Sequence, residues 1–453
     1  METVEAYSVR KKKELDLLNS FLGEPLTIRS PRSVAEVIEQ KFHLAAALKA
    51  EHVLHDWALT ETAWTQSHRP RSGPFQFKYD YQRADLEVRG PSFYGFEDQP
   101  DSQTVYTGSG MAAISALLMA MASVFPEADI VTMPNSYGET AELIDGHAKH
   151  LRRIELGRSL AKITGFRGSR PRVLLLDSCT SAGAFEAAVK CAQPRLDLVV
   201  FDTTCFCSGS GHVLRALNWA RDTTIPIVLL RSHTKLDSLG VEYGRLGSAV
   251  FAHCPHAVGA KQRSLHALLT ETQNAVRLFG GAALPAHFPP YVGTPAYRSL
   301  TNKRVAAMLR NNRRARRHFS AALAGSSAEF HFAHGLYVTL SSARTLDENE
   351  ARDVVAELCA DLDRRGLPLR HAGSFGFDFG AAEWSRDRIR DRYVVRIAAA
   401  DLPTLLWDEV IAAVAVWWKA HEGQAKRSVQ NVGKDKEATS VPSTGSCDTI
   451  SPC

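Results

Sequence analysis

IPIVLLRSHTKLDSLG, residues 225–240, decides how the rest of the chain is understood. Its first half is an unbroken apolar run, the pattern of a strand covered on both faces as in a parallel sheet. Its second half delivers Lys235, flanked by the hydroxyls of Ser232 and Thr234, just where that strand should end. A lysine at a strand end is most often merely exposed, so its surroundings in the chain must say whether it has a task.

Working outward, similar short apolar segments recur: DIVTMP (129–134), RVLLLDS (172–178), LDLVVFDTT (196–204) and SAVFAH (248–253). Helical or loop segments separate them, and SGMAAISALLMAMASVF (109–125) has helical character. The alternation over about 104–260 predicts an α/β fold, a mostly parallel sheet with helices on both faces. Ligands of such sheets gather beyond the carboxyl ends of the strands. Asp177, Asp202 and the run from Ser232 to Lys235 fall there.

Four segments are expected along the chain. Residues 1–75 are an N-terminal helical arm, 76–300 a large ligand-binding domain, 301–420 a smaller C-terminal α+β domain, and 421–453 a polar, disordered tail. Within this scheme RPRSGPFQFKYDYQRADLEVRGPSFYGFEDQP (69–100) is Gly/Pro-punctuated and is expected to be loop rather than core, with a binding surface of Tyr and Arg. FHFAHGLYVTLSS (330–342), AGSFGFDF (372–379) and YVVRIAAA (393–400) are strand candidates, and TLLWDEVIAAVAVWWKA (404–420) is a closing helix.

Composition excludes several classes. The formal net charge of +5, from 54 basic and 49 acidic residues, is too small to argue for a nucleic-acid partner, and the densest basic run, RNNRRARRHF (310–319), fits a solvated helix face. The first residues, METVEAYSVRKKKELDLL, lack an apolar signal core, and no window has bilayer-spanning apolar length. A cytoplasmic protein without nucleic-acid or membrane partners is expected. Cys179, Cys191, Cys205 and Cys207 lie in or beside apolar segments and fit reduced core residues. His147 with His150, and His253, Cys254 and His256, have metal-compatible spacings but no full ligand set near in sequence, so surface or loop histidines are favoured.

Three features carry chemistry. Gly108-Ser109-Gly110 precedes a helix, whose free N–H groups and dipole suit an anion such as phosphate; a capped helix without ligand is equally compatible. Asp202 ends a very apolar strand, so it is either a cap or turn residue or a buried charge with a dedicated cationic partner. A pyridinium nitrogen is one such partner. Lys235 then offers an amine for a Schiff base, with Ser232 and Thr234 as phosphate donors.

In this order the motifs resemble those of the Cys/Met-metabolism family of fold-type-I pyridoxal-phosphate (PLP) enzymes, which includes cystathionine γ-synthase and γ-lyase. SGMAAI resembles its phosphate-binding turn, implying Gly110 and Met111; YQR resembles its Tyr-x-Arg pair, implying that Tyr81 and Arg83 reach a neighbouring subunit's cofactor phosphate. SYGET implies ring stacking and proton movement by Tyr137, DTT implies Asp202 and Thr204 as cofactor contacts, and SHTK implies Ser232, Thr234 and Lys235. YVVRIAAADLP resembles the late Arg-bearing strand, implying that Arg396 takes the substrate carboxylate, with Ser374 on the matching upstream strand. The resemblance spans roughly residues 80–400. It implies a fold-type-I architecture, PLP, an amino-acid substrate, γ-elimination and a homodimer or homotetramer, with γ-replacement or transamination as alternatives; a binding protein that keeps only the fold is the rival of another class. Two departures concern the substrate: LDSCTSAGAF puts Asp177 where the family has Glu and loses its Asn, with Ser181 as the replacement, and LDSLGVEYGRLGS forms a longer loop with Asp237, Glu242, Tyr243 and Arg245, either substrate contacts or a solvated loop.

Overall fold

The computed structural model describes residues 2–52, 71–79, 86–94, 102–134, 136–156, 169–192, 194–252, 259–278, 287–323, 327–331, 335–342, 344–387 and 390–437. Helices α1 (Val4–Asn19) and α2 (Val34–Glu51) begin on Thr3 and Ser33, whose hydroxyls accept from Ala6 N and Glu36 N. A small antiparallel sheet follows, of β1 (Arg71–Ser72), β2 (Phe75–Tyr79) and β3 (Leu86–Arg89). Within the described residues this corrects, at 71–79 and 86–89, the loop expected over 69–100. Phe75 and Phe77 alternate with polar residues along β2 and are buried, as are Phe93 and Tyr94 beyond β3. The period of two was present, but the surrounding Gly and Pro residues obscured it.

The large sheet holds β4 (Gln103–Thr107), β5 (Asp129–Thr132), β6 (Arg152–Glu155), β7 (Arg172–Asp177), β8 (Leu198–Asp202), β9 (Ile227–Ser232) and β10 (Gly247–Ala252). Their order is β4-β10-β9-β8-β7-β5-β6, and β10 runs antiparallel to both its neighbours. The mostly parallel α/β architecture expected from the alternating pattern is therefore present. Strand faces alternate as the pleat requires. Val173, Leu175, Val200 and Leu230 pack with α3 (Gly110–Val124) and α7 (Ala260–Leu278), while Leu174, Leu176, Val199 and Leu229 pack on the opposite side. That side is covered by α5 (Ala182–Val189) and α6 (Gly211–Asp222). With helices on both faces, β7 to β10 can be apolar almost throughout. α4 (Gly138–His147) leads from β5 to β6.

The smaller domain is a five-stranded sheet, β11 (Ser327–His331), β12 (Tyr337–Ser341), β13 (Leu369–His371), β14 (Gly380–Asp387) and β15 (Arg392–Ala398), in the order β11-β12-β15-β14-β13. Helices α9 (Glu348–Arg364) and α10 (Thr404–Glu437) cover one face. The smaller α+β domain is thus present, with one correction. AGSFGFDF (372–379) is a loop between β13 and β14, and the strand is the following segment, GAAEWSRD. Gly376, at φ +97°, cannot continue a strand.

Helix α8 (Pro295–Ala322) carries the chain between the domains, capped by Thr294 with proline in its first turn. Its 28 residues span roughly 42 Å. Tyr297 packs under the N-terminal helices, Met308 between the domains and Phe319 in the small-domain core. Its basic run is largely solvent-facing at Arg310, Arg313 and Arg317, while Asn311 and Asn312 turn inward and donate to the carbonyls of Ala400 and Gly335. The closing helix continues to Glu437, into the segment expected to be a tail. No helix among the described residues is long and apolar enough to cross a membrane.

The N-terminal helices close on a buried ionic network. Lys11 Nζ lies 3.0 Å from Glu14, 2.5 Å from Asp378 and 2.7 Å from Asp401; Lys41 bridges Glu14 and Asp378, and Arg304 reaches all three carboxylates. Replacing Lys11 by Met leaves buried carboxylates one ammonium short, so Lys11→Met is expected to lower stability by about 3–5 kcal/mol, measured by urea unfolding. Lys12→Met, which removes a partly exposed pair with Asp16, should change it by less than about 1 kcal/mol.

Candidate active site

The carboxyl ends of β7, β8 and β9 lie side by side, and the structure brings most of the expected residues together there. Asp202 ends β8, and its Oδ1 accepts from Thr204 N at 2.9 Å. Burial raises its carboxyl above the ordinary value, opposed by the Thr204 hydroxyl and amide and by the charges of Lys235 and Arg231. The Thr204 hydroxyl also accepts from Ser232 N at 3.0 Å, tying β8 to β9. Ser232 and Thr234 hydroxyls stand 3.1 Å apart.

These hydroxyls sit against the start of α3. A side chain at Gly110 would place its Cβ 2.9 Å from that of Ser232, and one at Gly247 would collide with the Ser109 carbonyl. Glycine at both positions therefore lets the helix N-terminus close on the hydroxyl pair, a cradle of donors suited to an anion. Ser109 caps α3 through Ala112 N. Met111 turns its side chain into the sheet core, leaving only its backbone for the role expected of it.

Lys235 is half-buried, and its Nζ lies 5.0 Å from the centre of the Phe375 ring. The loop that brings Phe375 is held close: a Cβ at Gly376 would fall 2.8 Å from the Lys235 carbonyl oxygen. Ser374 is half-buried in this loop and not on a strand, which corrects its expected place. Tyr137 precedes α4, and its N–H donates to Asp177 Oδ2 at 2.6 Å. Burial and a hydrogen bond with Glu139 push the Tyr137 hydroxyl above its usual range, so it keeps its proton. Tyr81 and Arg83 lie outside the described residues, as do His253, Cys254 and His256.

Several participants escaped the sequence reading. Arg231, pointing beneath the strand end, forms a paired ion bridge with Asp237 (Nε–Oδ2 2.6 Å, Nη2–Oδ1 2.7 Å) and donates to the carbonyls of Thr203 and Phe206. His233 bridges Asp237 Oδ2 and Ser248 Oγ, both at 2.8 Å, under the ring of Phe93. Burial pushes the Asp237 carboxyl up, but Arg231 and His233 outweigh it and bring its pKa to about 2. Asp237 and Tyr243 are thus buried structural residues, while Glu242 and Arg245 are exposed, so the long loop is neither a row of substrate contacts nor wholly solvated. The signal available for Arg231 was a charge near the end of an otherwise apolar, buried strand.

Cys179 and Cys205 are free and buried as expected, with sulfurs 3.8 Å apart at the same strand ends. Ser181, the candidate replacement for a lost ring contact, caps α5 by accepting from Ala184 N. Arg396 projects from β15 and forms an ion pair with Glu383 at 2.9 Å.

No protein-family model matches the chain, and no curated protein matches it in sequence. Among solved structures, the cystathione gamma lyase CalE6 from Micromonospora echinospora aligns over 71% of this chain and 84% of its own at 17% identity and TM-score 0.49. The metB protein from Corynebacterium glutamicum aligns over 72% and 82% at 14% identity, also with TM-score 0.49. Serine palmitoyltransferase from Sphingomonas wittichii aligns over 73% and 74% at 15% identity, with TM-score 0.48.

Asp177 and Asp202 are direct partners across β7 and β8. Burial, then the Asp202 charge, raises the Asp177 carboxyl from 3.8 to about 7. The folded protein therefore holds this proton up to about pH 7, whereas an unfolded chain releases it near pH 4. The contribution of Asp177 to stability should fall as pH rises through that window and level off above it. Urea midpoints across pH 4 to 8 test this: Asp177→Asn should flatten the decline, and an unchanged slope would contradict it.

Proposed function

We propose that this chain is a PLP-dependent lyase that carries out γ-elimination on an L-amino acid. The observation that supports this best is the joint placement of Lys235, the buried Asp202 and the Gly110/Ser232/Thr234 cradle at neighbouring strand ends. The fit is chemical as well as positional. The cradle would take a phosphate, Asp202 would pair with a ring N–H, and Lys235 has the amine for a carbonyl.

When bound, PLP supplies an electrophilic carbonyl and an electron-withdrawing ring that acidifies the substrate Cα–H. The residues do the remainder. Thr204 holds the Asp202 carboxylate in place, and Asp202 would keep a ring nitrogen protonated. Lys235, its amine freed on substrate binding, removes the Cα proton. Arg396 fixes the substrate carboxylate with its planar donors, setting which Cα bond faces the lysine. Lys235, having passed that proton to solvent, would take a second from Cβ, the group on Cγ would depart with its bonding electrons, and Tyr137, which retains its hydroxyl proton, would return one proton to the product. The finer proposal is loss of HCl from L-2-amino-4-chloropent-4-enoate to give L-propargylglycine, supported by overall sequence character alone. Tyr81 and Arg83 acting on a neighbour's phosphate make a homodimer or homotetramer part of the same reading.

A visible absorbance band on reconstitution with PLP is expected, absent in Lys235→Ala. Mixed with a panel of γ-substituted L-amino acids including the chloroalkene, the wild type should release the γ-group, with product mass lower by the elements of the acid lost. A keto acid that still carries its γ-group, with the cofactor converted to its amine form, would instead establish transamination, and no band in the wild type would reject the cofactor. Ser232→Ala with Thr234→Val should weaken PLP binding about tenfold or more, since each lost hydrogen bond to a charged group is worth roughly 1.5–3 kcal/mol.

A further inference from the structure

Arg396 does not stand alone. The alternation of β14 and β15 sends Ala382, Val395 and Ile397 into the helix-covered core, which leaves Glu383 and Arg396 on the opposite face. Register makes Glu383 the direct cross-strand partner of Arg396. Glu383 Oε1 lies 2.9 Å from Arg396 Nη2, with side chains only 10% and 16% exposed, so water screens this pair weakly. The guanidinium lies 5.0 Å from the centre of the Tyr337 ring. Burial, then the charge of Glu383, raises the Tyr337 hydroxyl, which hydrogen-bonds to Glu383. Tyr337 in turn packs edge-on against Phe375, the ring under the Lys235 amine. An unbroken row of contacts therefore joins the lysine to an arginine that already carries an acid.

We propose that Glu383 is a specificity-determining residue that makes the site prefer amino acids with cationic or neutral side chains over those ending in a second carboxylate. This rests on the reading of Arg396 as the receptor for the substrate α-carboxylate. The five N–H donors of a guanidinium can serve Glu383 and one substrate carboxylate together. With substrate bound, the Arg396 guanidinium is shared by two carboxylates, that of Glu383 and that of the substrate. A side-chain carboxylate adds a third anion in a weakly screened setting, whereas an ammonium restores balance. Gly373, one residue before Ser374, borders the other oxygen of Glu383, where even a methyl group would be in contact at 3.6 Å. The carboxylate thus meets the loop that bounds the site.

The test uses three side chains of similar length: L-ornithine, L-norvaline and L-glutamate, titrated calorimetrically into the PLP-reconstituted full chain. The wild type is expected to bind ornithine at least tenfold more tightly than glutamate, with norvaline between. In Glu383→Gln the ornithine-to-glutamate ratio should fall by about tenfold or more, because one charge at this range shifts a neighbouring ionic equilibrium by that order. General loosening of the sheet would weaken all three ligands together and leave the ratio unchanged. A ratio within twofold of wild type in Glu383→Gln, or a wild type that binds glutamate as tightly as ornithine, overturns the proposal. Should Glu383→Gln not fold, Glu383→Asp, which retains the charge, must preserve the wild-type order, and a reversed order overturns it. The visible band reports separately on the cofactor: a band without charge selectivity sinks this inference alone, and selectivity without a band sinks the PLP reading alone.

Discussion

The buried ionic cluster around Asp378 is the constraint on which the rest of the structure hangs. Arg10, Lys11, Lys41 and Arg304 face Glu2, Glu14, Asp378 and Asp401, four cations to four carboxylates, with most of these side chains removed from water. Such a cluster is tolerable only when complete, since each charge left without its counterpart is expensive in low dielectric. Its members come from α1, α2, α8, the loop before β14 and the segment after β15. Each of these pieces must therefore be in place before the others are stable. Glu14, Asp378 and Asp401 have the mutual spacing of a metal site, but ammonium and guanidinium groups already fill it.

That cluster reaches the lysine through a short mechanical path. Arg304 donates to the Gly376 carbonyl at 2.9 Å and pairs with Asp378. Gly376 packs on the Lys235 carbonyl, and Phe375 lies under the amine. From beneath, Tyr297 donates to the Asp237 carbonyl at 3.0 Å, and Asp237 locks Arg231 and His233. The lysine is thus held between two buried ionic systems, one from each side of the domain junction. In the proposed role, an amine that is to attack a carbonyl would benefit from such fixing, because its orientation is set before the ligand arrives.

The large sheet was legible because its strands are short apolar runs that end in polar residues, a local pattern at Asp202 and at Ser232 to Lys235. What escaped depends on distance in sequence. The partners of Lys11 lie at Asp378 and Asp401, more than 360 residues away, and no periodicity links them. The segment 71–94 was misjudged because Gly73, Pro74 and Gly90 suggested loop, although Phe75 and Phe77 already alternated. Strand β14 was placed one segment too early because aromatic residues at Phe375, Phe377 and Phe379 imitate a strand. They form instead a loop whose rings pack at the domain junction. Arg396 was identified from a resemblance, but its partner Glu383 could be found only from strand register.

The strand-end carboxyls show how environment separates two like groups. Asp177 and Asp202 stand side by side in register, and two ionised carboxylates so close and so buried would repel strongly. Asp202 has the Thr204 hydroxyl and amide and the charges of Lys235 and Arg231 to favour its ionised form. Asp177 has only the backbone amides of Tyr137 and Cys179 and the Cys179 thiol, and its carboxyl rises to about 7. Divergent environments of this kind assign roles to paired acids. In the proposed reading Asp202 would be the carboxylate that a ring nitrogen meets, while Asp177, holding its proton up to about pH 7, anchors Tyr137.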